Sequence, residues 1–334
     1  MTVRMKDIAR DLGVSLMTVS KALRNHVDIS SETRRRVLNR AQQLGYQPNW
    51  AARSLVAHRT YMAGLVIPDL MHSFFAEVAK AAASRLAPRG YQIIIVNSEE
   101  DSEVEKHEIE ALLARYVDGL IIASAQKNGG WLRRTLGRRC IPCVLIDRRV
   151  RGVEALYVGV DDAEVGALAT RHLLEQGCRR IAHIQGPPIS TGRGRWLGYR
   201  RTLAEHRLKW VPEYVVPGWH QDITGDTAMQ KLLRLSPPPD GVFCYNDPVA
   251  AGAIKAVFEA GLRVPNDVAI VGAGNVHYSD LLRTPLSTVD QSSQAIGETA
   301  ADQLLKCIEG KRPCRSERIL IPVRLVVRES SRRR

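Results

Sequence analysis

The sequence has 334 residues, of which 45% are hydrophobic, 25% charged and 5% aromatic. That balance excludes a disordered chain, and the length exceeds what one core of roughly 100 to 200 residues accommodates, so more than one packed domain is expected. A formal net charge of +13 points to an anionic partner, nucleic acid before any other.

The excess charge is uneven. Before residue 61, eleven Lys and Arg stand against four Asp and Glu, a surplus of seven. Met1 to Arg10 carries no apolar h-region, and no later stretch approaches the ~18 uninterrupted apolar residues of a membrane helix. A cytoplasmic protein with no membrane partner is expected. The six cysteines, Cys140, Cys143, Cys178, Cys244, Cys307 and Cys314, are scattered, and in a reducing compartment they read as small core residues, not as bridges or a metal site.

Lys6 to Leu12 places Ile8, Ala9 and Leu12 on one helical face, and Gly13 is suited to a left-handed helix end. Ser15 caps a second helix, Leu16 to Leu23. Its Val19, Ala22 and Leu23 face inward, while Leu16, Met17, Ser20 and Lys21 face out. Two short helices joined by Gly13-Val14-Ser15 make a helix-turn-helix. Ser30 caps a third helix, Ser31 to Leu44, in which Val37, Leu38, Ala41 and Leu44 close a small core and Arg34, Arg35, Arg36 and Arg40 stay on the solvent side. Leu16 and Met17 have no core to fill. At the start of a recognition helix, apolar side chains meet thymine methyls in the major groove.

From Tyr61 the chain alternates apolar runs with helical patterns. The runs are Leu65-Val66-Ile67, Ile93 to Val96, Leu120-Ile121-Ile122, Val144-Leu145-Ile146, Ile181 to Ile184, Val242-Phe243-Cys244 and Val268 to Val271. Continuous β-branched runs separated by helices indicate parallel strands buried on both faces, a doubly wound architecture. Ligands of such folds bind beyond the carboxyl ends of the strands. Asp69, His72, Asp147, Asp161, Asp162, Asn246 and Asp247 are therefore candidates.

Lys6-Asp7-Ile8-Ala9, Gly13-Val14-Ser15, Thr18-Val19-Ser20-Lys21-Ala22-Leu23 and Ser30-Ser31-Glu32-Thr33-Arg34 closely resemble the headpiece of the lactose/galactose-repressor family. The resemblance implies that Leu16, Met17 and Lys21 read bases, that Thr18 and Ser20 touch phosphate, and that Arg24 replaces the family's usual Asn. Pro48 to Leu55 is similar to the family's hinge helix, including Ala52. It is too short to be stable alone and is expected to form when two copies meet in the minor groove, with Leu55 wedging a base step. Further landmarks are Pro68-Asp69 with Phe74-Phe75-Ala76-Glu77, Val117 to Ile121, Asn246-Asp247, Pro285 to Val289 and Leu325 to Ser330.

The resemblance thus implies an all-α helix-turn-helix headpiece (1–47), a hinge helix and linker (48–59), and an α/β periplasmic-binding-protein-like core (60–330) that binds effector and dimerises, ending in a basic tail (331–334). The core is expected as two doubly wound subdomains, about 60–161 plus 291–320 and about 162–290 plus 321–330. Phe74, Asp147, Arg195, Trp219, Asn246 and Asn275 are the effector contacts so implied. After Val271-Gly272 the family carries an aromatic and then an acidic residue, whereas Ala273, Gly274 and Asn275 follow here, leaving Asn275 to replace part of that carboxylate. The implied protein is a regulator, a repressor by this reading. It binds a palindromic operator in double-stranded DNA as a homodimer or a larger assembly and responds to a sugar-like small molecule, with no cofactor.

Two rival classes fit less well. A dinucleotide oxidoreductase draws on Gly192-Arg193-Gly194 after strand Ile181 to Ile184, but the third glycine falls at Gly198, one residue late for the G-x-G-x-x-G fingerprint. A secreted sugar-binding transport component would not carry a basic helix-turn-helix. No nucleophile elbow or metal-ligand cluster is present for catalysis.

Overall fold

A computed structural model describes residues 3–23, 25–46, 59–218, 222–310 and 316–333. The chain separates into two compact units, Met1–Thr60 and Tyr61–Arg334. Arg24, Trp219 and the hinge segment with Ala52 and Leu55 lie outside the described residues.

The first unit holds α1 (Met5–Leu12), α2 (Leu16–Leu23) and α3 (Ser31–Gln43). Gly13 ends α1 at φ 62°, a conformation in which a Cβ is unfavourable. The Ser15 hydroxyl accepts from the Thr18 N–H at 3.0 Å and Ser30 from the Thr33 N–H at 3.2 Å, so both helix starts are capped by serine. Ile8, Ala9, Val19, Ala22, Val37 and Ala41 form the core. Leu38 does not join it: Val37 and Ala41, four apart, define the inward face of α3, and Leu38 lies one residue around the helix, 47% exposed. Two of the arginines expected to face solvent are also structural. Arg34 donates to the carbonyls of His26 (2.8 Å) and Ile29 (3.2 Å), and Arg40 donates twice to Asp11 (3.0 and 2.5 Å), tying α3 to α1.

The second unit contains two six-stranded sheets. The first is built from β1 (Met62–Ile67), β2 (Gln92–Asn97), β3 (Gly119–Ile122), β4 (Cys143–Ile146), β5 (Leu156–Gly159) and β11 (Arg318–Leu320), in the order β11-β5-β4-β3-β1-β2. The second comprises β6 (Ile181–Gln185), β7 (Val215–Pro217), β8 (Gly241–Cys244), β9 (Ala269–Gly274), β10 (Ser287–Asp290) and β12 (Arg324–Val326), in the order β12-β10-β9-β8-β6-β7. Every pairing is parallel except β10 with β12. The chain therefore passes between the sheets three times, after β5, after β10 and between β11 and β12.

Helices cover both faces of each sheet, as parallel sheets require. α4 (Ser73–Leu86) and α11 (Ser293–Ile308) cover one face of the first sheet, with α5 (Ser102–Ala114) and α6 (Gly130–Arg139) on the other. α7 (Asp162–Glu175) and α8 (Ser190–Glu205) cover one face of the second, with α9 (Asp222–Leu233) and α10 (Asp247–Glu259) opposite. The α4, α11, α7 and α8 sides form one continuous apolar cluster reaching from Leu65 to Val271.

Residues 331–333 are not a free tail. Ser331 is fully buried, and Arg333 donates to the carbonyls of Pro265 and Asp240. Cys143, Cys178 and Cys244 are buried free thiols, as a core role predicts. Cys307 departs from that expectation and is disulfide-bonded, because compartment chemistry does not determine which sulfurs a fold brings together.

Candidate functional site

In the headpiece, α2 presents Leu16 (51% exposed) and Met17 (63%) to solvent, with Thr18, Ser20 and Lys21 half-buried beside them. Thr18 Oγ1 lies 2.9 Å from Ser15 Oγ. Lys21 Nζ donates to Asp28 Oδ2 at 3.1 Å, and His26 Nδ1 lies 3.2 Å from the same oxygen. The hydrogen bond from Lys21, followed by the charge of His26, holds the Asp28 carboxyl below the usual carboxylate range. Exposed pairs of this kind are weak, so Lys21 is released from Asp28 at little cost.

In the second unit, the carboxyl ends of β1, β2, β4, β8, β9 and β10 converge on a cleft between the two sheets. It is lined by Asp69, His72, Phe74, Phe75, Glu100, Asp147, Arg148, Arg195, Tyr245, Asn246, Ala273 and Gln291. Four of the residues expected at an effector site thus come together: Phe74, Asp147, Arg195 and Asn246.

Arg195, 3% exposed, is held on three sides. Its Nε donates to Asp162 Oδ1 (3.2 Å), one terminal nitrogen to the Tyr245 carbonyl (2.6 Å) and the other to Gln291 Oε1 (2.8 Å), while its guanidinium lies 4.6 Å from the centre of the Tyr245 ring. Gln291 belongs to the second crossover between the sheets, so one arginine touches strand ends and a connecting strand together. Five N–H groups with three partners leave donors for a ligand.

The glycines around Arg195 explain its placement. Gly192, Gly194 and Gly198 lie within α8 and not on a phosphate loop. A Cβ on Gly198 would lie 2.0 Å from the Ala163 carbonyl oxygen, and one on Gly166 of α7 would lie 2.1 Å from the Arg195 carbonyl oxygen. The motif that resembled a dinucleotide fingerprint is a helix-packing motif. It brings α7 and α8 close enough for Asp162 and Arg195 to bond.

Asp147 adopts φ 57°, a region disfavoured for side-chain-bearing residues and found at functional sites. The conformation is fixed by the Tyr157 hydroxyl donating to the Asp147 carbonyl at 2.9 Å. Next to it, buried Arg148 forms a bidentate pair with Glu100 (2.7 and 2.6 Å), and its Nε, without a hydrogen-bond partner, lies 3.5 Å from Asp147 Oδ2. Burial raises the carboxyls of Asp147 and Asp162. For Asp162 the value reaches about 7, with Arg195 opposing the rise and Asp147 adding to it.

Asn246 has two tasks. Its Oδ1 accepts the Val249 N–H at 3.0 Å and caps α10, while its Nδ2 reaches His72 Nε2 of the opposite sheet at 3.1 Å. His72 Nδ1 faces the Phe74 N–H at 3.3 Å. A neutral imidazole has one acceptor nitrogen, so it accepts one of these two donors at a time.

Asn275 does not line the cleft. Its Oδ1 accepts from Arg328 at 2.8 Å and its N–H donates to Thr288, which ties it to the last strands. The residues after strands also divide. Asp161 caps α7 through the Ala163 N–H (2.9 Å), and fully buried Asp247 accepts from Val276, Ser279 and Thr288, leaving both as structural anchors. Glu100, Arg148, Tyr245 and Gln291 were absent from the expected contacts, although each follows a strand and the same rule identifies them.

Residues 4–49 match the model of bacterial regulatory proteins of the lacI family, and residues 170–331 match a periplasmic binding protein-like domain. A ribose operon repressor of Halalkalibacterium halodurans is 35% identical over 329 residues, covering 98% of this chain and 96% of the relative. An HTH-type transcriptional repressor PurR of Pasteurella multocida is 32% identical over 332 residues, covering 98% of each. Among solved structures, a lac repressor dimer bound to operator and the anti-inducer ONPF matches with a TM-score of 0.88 at 25% identity, covering 99% of each chain.

Proposed function

From the premise that the chain belongs to the lacI family of bacterial regulatory proteins, and so is a DNA-binding transcriptional regulator, we propose that it is a cytoplasmic repressor that binds a palindromic operator as a homodimer. Leu16, Met17 and Lys21 read the major groove, Thr18, Ser20 and Arg24 hold phosphate, and Ala52 and Leu55 of the hinge segment enter the minor groove. The exposed apolar pair opening α2, with Lys21 loosely held beside it, supports this assignment.

The effector is a small neutral molecule rich in hydroxyl groups, a sugar or sugar derivative. One observation carries this reading: the cleft and its wall contain Asp69, Glu100, Asp147 and Asp162 against Arg148 and Arg195. Arg148 is matched by Glu100 and Arg195 by Asp162, which leaves the carboxyl groups of Asp147 and Asp69 in excess. Excess acceptors favour hydroxyl donors and disfavour phosphates and sugar acids. Phe74 supplies the apolar wall, Trp219 a second one, and Arg195 the charge-assisted contacts.

The test is a thermal-shift screen of neutral sugars, sugar acids and nucleosides on the full chain, followed by operator gel shifts with the ligand that stabilises. A neutral sugar is expected to stabilise, and Arg195→Ala to abolish its effect while leaving operator binding intact. Stabilisation by anions alone refutes the effector class, and undiminished ligand affinity in Arg195→Ala removes Arg195 from the site.

A further inference from the structure

Away from the cleft and from α2, helix α6 carries Arg133, Arg134, Arg138 and Arg139, all exposed. Among the described residues none of the four is engaged in an ion pair or a side-chain hydrogen bond. Arg138 and Arg139 are favoured by the negative end of the helix dipole, but Arg133 and Arg134 stand in the half where that field opposes them. Arg134 and Arg138 are also like charges four residues apart, an arrangement that weakens a helix. Positive charge without an ion-pair partner is thus concentrated on ten residues, and for Arg133 and Arg134 the helix gains nothing from it.

Beside this face runs an open groove. Leu136, Ile141 and Val153 contribute apolar side chains to it, and Gly137 and Gly152 leave its surface open, with nothing within 4 Å of where their Cβ atoms would stand. Arg133 sits on one rim and Glu154, exposed, is also among the lining residues. Lys127 and Arg151, both exposed, extend the basic border, since Asn128 bridges to Arg151 and the Gly129 N–H donates to the Arg151 carbonyl at 2.9 Å.

We infer that this surface docks an acidic protein segment that inserts a large apolar side chain into the groove while its carboxylates meet the α6 arginines. Charge complementarity identifies the acidic flanks. The groove identifies the apolar anchor, because Leu136, Ile141 and Val153 line it and an apolar side chain gains by leaving water against them. Arginine suits the role, being weakly hydrated and able to grip carboxylates bidentately. The surface shares no lining residue with the effector cleft, so docking adds an input separate from the small molecule.

Fluorescence anisotropy on the full chain tests this with three labelled probes: a short peptide of Asp and Glu flanking Leu and Phe, an all-Glu peptide of equal charge, and a non-operator DNA duplex. The acidic-apolar peptide is expected to bind more tightly than the all-Glu peptide. R134E/R138E should weaken it by about tenfold or more, as loss of interface anchors does. Leu136→Asp should weaken it as well, and the distant charge reversal R207E/K209E should leave it unchanged. Equal affinity for the two peptides, equal losses in the distant variant, or a loss confined to duplex DNA would each overturn the inference, the last assigning the arginines to nucleic acid. Circular dichroism and effector binding of R134E/R138E, both expected to be unaltered, separate loss of docking from loss of fold.

Discussion

Gly198 and Ala163 meet backbone to backbone: a Cβ at residue 198 would stand 2.0 Å from the Ala163 carbonyl oxygen. The bond between Asp162 and Arg195, each one turn or less from this contact, depends on that approach. Gly198→Ala is expected to push α8 from α7, destabilising the protein by about 1 to 3 kcal/mol, the usual range for overpacking, and to weaken effector binding without loss of any polar group. Denaturant unfolding with ligand calorimetry checks both. Full stability would mean that the helices separate freely.

Asn246 allows its two tasks to be measured apart. Asn246→Ala removes the α10 cap as well as the link to His72 and should cost about 1 kcal/mol of stability together with effector affinity. Asn246→Ser retains a capping oxygen and loses the reach across the cleft, so stability should stay within a few tenths of a kcal/mol while effector affinity still falls. If both variants bind effector normally, the contact between Asn246 and His72 plays no part in recognition.

The raised Asp162 carboxyl links stability to pH. Its folded value of about 7 exceeds the ordinary 3.8, so between these values the folded state holds a proton that the unfolded state has released. The contribution is complete below pH 3.8 and is lost as pH rises through 7, at up to about 1.4 kcal/mol per pH unit. His183, pushed down to about 4 by burial, acts with the opposite sign between 4 and 6.5. The difference between wild type and Asp162→Asn isolates the carboxyl. The wild type should lose stability relative to the variant from pH 4 to 7, and parallel curves would show that Asp162 ionises as an ordinary carboxylate.

Lys21→Ala should reduce operator affinity more than affinity for random duplex DNA, because phosphate contacts weaken all sequences alike. Asp28→Asn frees Lys21 and should raise affinity for both. In wild type, log K should fall with log salt by roughly 0.9 per phosphate neutralised. Filter binding across a salt series measures all three; equal losses on the two DNAs would assign Lys21 to the backbone.

The long apolar runs that became β1, β3, β4, β6, β8 and β9 were legible because parallel strands buried on both faces leave no polar alternation, and the edge strand β2 because Ile93 to Val96 is apolar throughout. β5, β7, β10, β11 and β12 were not, and sequences such as Ser287-Thr288-Val289-Asp290 and Arg318-Ile319-Leu320 carry little apolar signal. The cleft was half legible. Asp147 and Asn246 follow strands and obey the rule for such folds, whereas Arg195 lies inside a helix and only family resemblance identified it. Asn275 follows β9 as expected but is claimed by Arg328, a partner more than fifty residues away that no local pattern reveals.

The three crossings between the sheets have a consequence for synthesis. The first sheet gains its outer strand only when residues 318–320 have emerged, and α11, which packs against α4, is made after the whole of β6 to β10. Neither half can complete itself while the ribosome is still extending the other, so the usual order in which an N-terminal domain folds first does not apply to this unit. Its apolar strands wait, unpaired at one edge, until almost the last residues arrive. A truncation near the C terminus therefore removes the closing strands of both halves together, and nascent chains stalled before residue 318 should be the ones that engage chaperones longest.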